Sequence, residues 1–266
     1  MKLGIVGGSG QLGRAIAFAH LRNGGVAAGD LWIANRDGRR DGFEDFPDVT
    51  VTSSAQALAE TCDVVLLSVP PAQFGALELR AEGKLVISVM AGVTIAAISE
   101  KTGTGRIARG MSSPVAELGL AHSSFCATTA VTEADRAMIR AVFAPCGMVD
   151  EVTEEPLMDV FCALTGPVPG FVAYYAACMV EAAVAQGMPE DVADRAVRQL
   201  FQASGAALKE WPETPAAQVQ AMVDYAGTTA AGLLAMMERP VAEGIAAGLE
   251  AAKEKARVMG SHTDLS

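Results

Sequence analysis

The stretch "KLGIVGGSGQLGRAIAFAHLRNG", residues 2–24, decides how the chain is read. "LGIVGG" (3–8) is a short apolar run closing in glycine, the pattern of a buried strand. "QLGRAIAFAHLRNG" (11–24) places Leu12, Ile16, Ala19 and Leu21 at helical spacing, with Gly24 as a stop. Between them, "GGSGQLG" (7–13) contains G-x-G-x-x-G as Gly8, Gly10 and Gly13. Strand, glycine turn and helix in that order is the setting in which this motif binds a dinucleotide. Glycine permits the tight turn and lets the backbone approach a pyrophosphate. The helix N-terminus adds N–H groups and the positive end of its dipole. The bland alternative is a plain strand–helix turn.

Outward from this loop, strands and helices alternate. "LWIAN" (31–35), "VTV" (49–51), "DVVLLSV" (63–69), "KLVISVM" (84–90), "RIARGM" (106–111) and "SSFCATTAV" (123–131) read as strands. "SAQALAE" (54–60), opened by Ser53 or Ser54, "TIAAISEKT" (94–102) and "TEADRAMIRAVFAPCG" (132–147) read as helices. That alternation predicts a doubly wound, mostly parallel sheet of Rossmann type, with ligands beyond the carboxyl ends of its strands. From about residue 154 the strand signals stop. Helical patterns follow at 156–166, 169–188, 189–211, 215–223, 228–240 and 241–259. The expected class is α/β: a Rossmann-type domain over 1–153, then an all-α domain over 154–266.

Composition narrows the partners. Apolar residues make up 51% and charged residues 19%, too apolar for a disordered chain. The formal charge of -11 argues against nucleic acid, whose phosphates need a basic face. Cys62, Cys126, Cys146, Cys162 and Cys178 are widely spaced and form no C-x-x-C pair, so small core residues in a reducing cytoplasm are expected, with no metal site. The opening "KLGIVGG" reads as a strand rather than a leader. Val160–Val180 carries no charge, but "TGPVPG" (165–170) breaks it and leaves about three turns before Glu181, so a buried helix is expected rather than a membrane span. The 169–188 helix is apolar nearly all round, and a homodimer interface is expected there.

NAD binders carry an acid at the end of the second strand, for the ribose hydroxyls. Here "IANRDGRR" puts Asn35 and Arg36 at that place, with Arg39 and Arg40 behind. A guanidinium there suits the 2′-phosphate of NADP(H). Asp37 and Asp41 keep a solvated loop open as the alternative. "SVPPAQF" (68–74) and "SVMAGV" (88–93) close two strands at the same edge, making Ser68, Val69, Pro70, Ala91 and Gly92 candidate cofactor neighbours or ordinary strand terminators.

The order of motifs resembles the pyrroline-5-carboxylate reductase family over nearly the whole chain. "KLVISVMAGVTIAAISE" (84–100) is similar to its strand–AAGV–helix segment, and "IARGMSSPVAELG" (107–119) stands where it carries R-x-M-P-N-T-P-A. Residues 158–197 resemble D-x-x-T-A-L-S-G-S-G-P-A-Y and its long helices, and "AGTTAAGL" (226–233) resembles G-G-T-T-I-A-G-L. The resemblance implies an NADPH-dependent reductase of a cyclic imine, a Rossmann domain and a helical dimerisation domain. It places the cofactor at Gly8, Ser9, Gly10, Gln11, Leu12, Gly13, Asn35, Arg36, Ser68, Val69, Pro70, Ala91, Gly92 and Ser113. It places the substrate at Asp224, Tyr225, Ala226, Gly227 and Thr228, and the hydroxyl facing the imine nitrogen on Thr229, with Thr228 as the helix cap.

The departures fall in the substrate loops. S-P-G-G, which holds the substrate carboxylate in the family, is here Asp224-Tyr225-Ala226-Gly227, and an acid there would repel a carboxylate. Met-Pro-Asn is Met111-Ser112-Ser113, the lysine of V-K-P is replaced at Val69-Pro70, and the S-G-S-G-P-A-Y segment reads Thr165–Phe171. The substrate therefore stays open between pyrroline-5-carboxylate and a related imine. Two other readings stand beside this one. A dehydrogenase of another small acid needs a base, usually His or Lys. His20 is expected at the domain surface, His122 in a loop and His262 in the tail. The other reading is a dinucleotide-binding dimer without imine reduction.

Overall fold

The structure is a computed structural model describing residues 1–166 and 168–261. Pro167 of the expected loop and His262 lie outside the described residues.

The strands are β1 (Leu3–Val6), β2 (Leu31–Ala34), β3 (Thr50–Thr52), β4 (Val64–Leu67), β5 (Leu85–Ser88), β6 (Ile107–Met111), β7 (Ala121–Ala127) and β8 (Gly147–Glu151). They form one sheet in the order β3-β2-β1-β4-β5-β6-β7-β8. Every pairing is parallel except β6 with β7. Every residue of β1, β4 and β5 is buried, because helices cover both faces of a parallel sheet. The expected doubly wound architecture is present, with β8 as an added edge strand that the sequence reading did not include.

The covering helices are α1 (Gln11–Arg22), α2 (Ala55–Thr61), α3 (Pro71–Phe74), α4 (Ile95–Thr102), α5 (Glu133–Phe143) and α6 (Leu157–Thr165). One face packs Ile16, Phe18, Phe43, Ile139 and Phe143; the other packs Leu58, Phe74, Leu79 and Ile98. Starts follow the side chains. Ser54, not Ser53, caps α2 by accepting from Ala57 N at 3.1 Å, and Thr94 caps α4 by accepting from Ala97 N at 3.2 Å. Thr132 and Asp135 form a capping box on α5, and the buried Asp135 carboxylate also holds Arg106. That guanidinium keeps its carboxyl acidic, at about 2.

His20 corrects the sequence expectation. It is 2% exposed rather than at the domain surface. Val26 N–H donates to Nδ1 at 3.1 Å, so Nδ1 is the acceptor and Nε2–H donates to Val142 O at 3.0 Å. Burial lowers its pKa to about 4, and the Val142 contact offsets part of that. His122 is also not in a loop. It lies in β7, bonds Asp150 Oδ2 at 2.7 Å and stacks on Phe161 at 5.9 Å.

The chain divides into two compact units, Met1–Pro167 with Leu249–Ser266, and Val168–Gly248. The second is helical: α7 (Val168–Ala185), α8 (Glu190–Glu210), α9 (Pro215–Asp224), α10 (Thr228–Met237) and the first part of α11 (Val241–Ser261). α7 packs on α8, with Tyr175 edge-on to Phe201 at 5.8 Å. The helix expected over 169–188 is α7, which makes about three and a half turns before Glu181 and runs on to Ala185. In the single chain Phe171, Val172, Tyr174 and Tyr175 are exposed, on the helix expected to be covered at a homodimer interface. By length and composition the stretch Leu157–Ala185 is apolar enough to cross a membrane.

Candidate functional site: the glycine cradle and the threonine helix

β1, β2 and β4 end side by side, and a cavity of about 810 Å³ opens beyond their carboxyl ends. This is the crevice where an open parallel sheet reverses its strand order. Its walls come from the glycine loop after β1 (Gly7, Ser9, Gly10), the turn after β2 (Asn35–Asp37), Ser53 after β3, and Ser68–Pro70 with Gln73 after β4.

Gly7 makes the turn. Its φ is +86°, and a Cβ there would stand 2.6 Å from Ser68 O. Gly8 serves packing instead: its Cβ would meet Ile33 at 2.8 Å. Gly13 lets α1 press on the loop, since a Cβ there would stand 2.5 Å from Gly7 O. Gly10 is the N-cap of α1, and α1 has no acidic residue in its first turn. The N–H groups of that turn have no intrahelical partner, so the cradle offers donors and a positive dipole end without a competing carboxylate.

Asn35 and Arg36 stand at the far end. Asn35 Nδ2 donates to Arg39 O at 2.7 Å, while its Oδ1 is buried without a partner. Arg36 donates to Gln73 Oε1 at 3.3 Å. Arg39 is paired with Asp41 at 3.1 Å, and Arg40 donates to Phe46 O and Val49 O. Of the three arginines after β2, Arg36 alone lines the cavity, and it has no carboxylate partner among the described residues.

The structure thus brings Ser9, Gly10, Asn35, Arg36, Ser68, Val69 and Pro70 to one cavity, and adds Gly7, Ser53 and Gln73, which the motif had not named. Gly8, Gln11, Leu12, Gly13, Ala91, Gly92 and Ser113 do not line it. Gly92 takes a left-handed conformation (φ +73°) with the backbone of Ala256 and Gly260 against it. Ser113 is buried at the start of a 3₁₀ turn, accepting from Ala116 N through its carbonyl. One further feature had no sequence signal beyond its charges. The buried Arg109 of β6 bonds Glu155 at 3.3 Å and Asp159 of α6, and Glu155 also accepts from Ile95 N at 2.7 Å at the start of α4.

In the helical unit, Thr229 stands in the first turn of α10, on a cavity of about 440 Å³ lined also by Trp211, Glu213, Met222 and Tyr225. The N-cap of α10 is Gly227, not Thr228, which is the first helical residue and exposed. Neither threonine hydroxyl has a hydrogen-bond partner among the described residues. Asp224 is held by Gln220 at 2.8 Å, Tyr225 is 86% exposed, and Ala226 has φ +59°. The four residues of this connector are thus contiguous with Thr229, but only Tyr225 reaches its cavity. Buried thiols are pushed up, to about 11 at Cys62 and Cys126 and about 12 at Cys146, so they stand protonated. Among the described residues no group of three His, Cys, Asp or Glu is arranged to hold a metal.

A glycine cradle at the switch point of a parallel sheet, followed by a helical unit, defines an oxidoreductase of the dinucleotide-binding class. Residues 155–259 match the family model for pyrroline-5-carboxylate reductase dimerisation, and residues 2–92 match that for NADP oxidoreductase, coenzyme F420-dependent. The chain is similar to the pyrroline-5-carboxylate reductase of Vibrio alginolyticus, 30% identical over 260 residues and covering 95% of both chains. It is also similar to that of Thermus thermophilus, 29% identical over 265 residues, covering 98% of this chain and 99% of the relative. The Plasmodium falciparum pyrroline carboxylate reductase, solved with NADP bound, has the same fold, with a TM-score of 0.83 at 24% identity and 98% of each chain covered. The chain belongs to the pyrroline-5-carboxylate reductase family.

Proposed function

We propose that this protein reduces a cyclic imine with NADPH, taking pyrroline-5-carboxylate to proline. The observation that carries the reading is end-to-end similarity to reductases of that name, joined to a cavity whose shape and charge suit the cofactor. The fit rests on the glycine turn, where a Cβ at Gly7 would clash with Ser68 O and one at Gly13 with Gly7 O, on the orphaned Asn35 Oδ1, and on Arg36 where an NAD binder would place an acid. Ser9 and Gly10 with the first turn of α1 would hold the pyrophosphate. Arg36 and Ser53 would hold the ribose 2′-phosphate, and Ser68, Val69 and Pro70 would flank the middle of the cofactor.

When bound there, NADPH would supply a hydride to the imine carbon. The nitrogen gains electron density and needs a proton. The unpartnered hydroxyl of Thr229 donates a hydrogen bond to that nitrogen and relays the proton from water, so that it is not itself left ionised. The N-terminal turn of α10 favours the anionic end of a substrate. Asp224 opposes it, so a related imine remains the second substrate. The acid-dehydrogenase reading lacks a base at the cofactor cavity, which neither His20 nor His122 lines: His20 is buried and bonded through both nitrogens, and His122 bonds Asp150. A second copy of the chain covers the exposed apolar face of α7, making a homodimer through the 154–266 domain in the cytoplasm. That occupant also accounts for the apolar stretch without a membrane.

The test is Thr229→Val, which removes the hydroxyl and keeps the shape. The rate constant kcat for imine reduction should fall about 10²-fold while NADPH affinity is retained. Unchanged kcat would remove Thr229 from the chemistry.

A further inference from the structure

The cofactor cavity has two walls at its adenosine end, the turn after β2 and helix α3. One side-chain bond joins them: Arg36 Nη2 donates to Gln73 Oε1 at 3.3 Å, and both residues line the cavity. The neighbouring cations are committed elsewhere, Arg39 to Asp41 and Arg40 to two backbone carbonyls. The acid at the same rim, Asp37, accepts from Arg39 N at 3.4 Å. Among the described residues Arg36 is the arginine that lines the cavity, placed to meet an added phosphate, and it is exposed on a long, flexible stem. A flexible side chain loses rotamer freedom when it clamps a ligand, and a contact that places it beforehand lowers that cost. Gln73 is suited to this. Its amide oxygen accepts one N–H without neutralising the guanidinium, and the rest of the fork stays free for phosphate oxygens. A carboxylate at the same place would cancel the charge.

We propose that Gln73 is a positioning residue that sets the preference for a 2′-phosphorylated dinucleotide, by holding the Arg36 guanidinium over the adenosine end of the cavity. The inference rests on the NADPH reading above and adds a residue that does not itself touch the reacting atoms.

Calorimetric Kd values for NADPH, NADH, 2′,5′-ADP and 5′-AMP test it without turnover. Gln73→Ala should weaken NADPH and 2′,5′-ADP by about three- to tenfold, the worth of one hydrogen bond, and leave NADH and 5′-AMP within about twofold. Gln73→Glu should pair with Arg36 and weaken the phosphorylated ligands by more than about tenfold. Arg36→Ala should erase the preference, and adding Gln73→Ala to it should change nothing more. Equal weakening of NADPH and NADH in Gln73→Ala would mean a structural role and overturn the proposal. So would an unchanged ratio, or a Gln73 effect that persists without Arg36. A wild-type protein that does not favour NADPH over NADH would fail the cofactor reading and the proposal together. A wild type that does favour it, with the Gln73→Ala ratio unmoved, overturns the proposal alone.

Discussion

At the scale of single residues, polar side chains were where sequence and structure parted. His20 looked like a surface position because the helix pattern was read as a single apolar stripe. In the fold, α1 is enclosed from Ala15 to His20 without a break, and the ring is used to tie α1 to the end of α5. Its folded pKa of about 4 lies below the unfolded value of 6.5. A histidine shifted this way gives stability that is present above pH 6.5 and is lost as pH falls toward 4. The loss should be about 2 kcal/mol by pH 5. Denaturant unfolding of wild type and His20→Gln at pH 7 and pH 5 measures it, and the variant should lack that dependence. Ala226 carries backbone strain. At φ +59° a β-branched side chain is costly, so Ala226→Val should destabilise by about 1–2 kcal/mol. Ala226→Gly should be neutral or stabilising by less than about 1 kcal/mol, read as a shift in Tm. Thr229 stands out in the sequence only through its motif, since a threonine opening a helix is more often a cap. Gly227 is the cap here, and that leaves both hydroxyls without a partner among the described residues.

At the scale of elements, the alternation of apolar strands and helices was plain, because a strand buried on both faces has little choice of composition. Edge strand β8 was not plain. Its burial alternates between half-buried and exposed, and Gly147 reads equally as the stop of the preceding helix. The glycine loop was legible as a motif but not in its division of labour. Gly7, ahead of the counted motif, takes the left-handed turn, and Gly8 makes room for β2. Gly7→Ala should cost about 2 kcal/mol or more in stability and lower NADPH affinity, measured by unfolding and by calorimetry. The Arg109–Glu155–Asp159 cluster was invisible beforehand, because it joins residues about fifty positions apart in the chain. It ties β6, α6 and the start of α4 around a guanidinium that is 3% exposed. Removing one partner leaves a buried charge short of an acceptor. Asp159→Ala should therefore destabilise by about 2–3 kcal/mol, read from the denaturant midpoint at constant m.

At the scale of the whole molecule, the apolar helix α7 was legible as something to be covered, and what covers it was not. A single chain leaves Tyr174 75% and Tyr175 45% exposed, more apolar surface than an isolated helical unit keeps in water. The match to a dimerisation model over residues 155–259 supports a second copy as the cover. Tyr174→Asp would bury an unpaired charge in that interface and should shift the protein toward monomer in sedimentation at micromolar concentration. A wild-type chain that sediments as a monomer would contradict the reading. Stoichiometry tests imine reduction by NADPH most directly. Purified protein given pyrroline-5-carboxylate should oxidise one NADPH for each proline formed, with NADH less effective. NADPH binding without turnover on pyrroline-5-carboxylate or any related cyclic imine would contradict it.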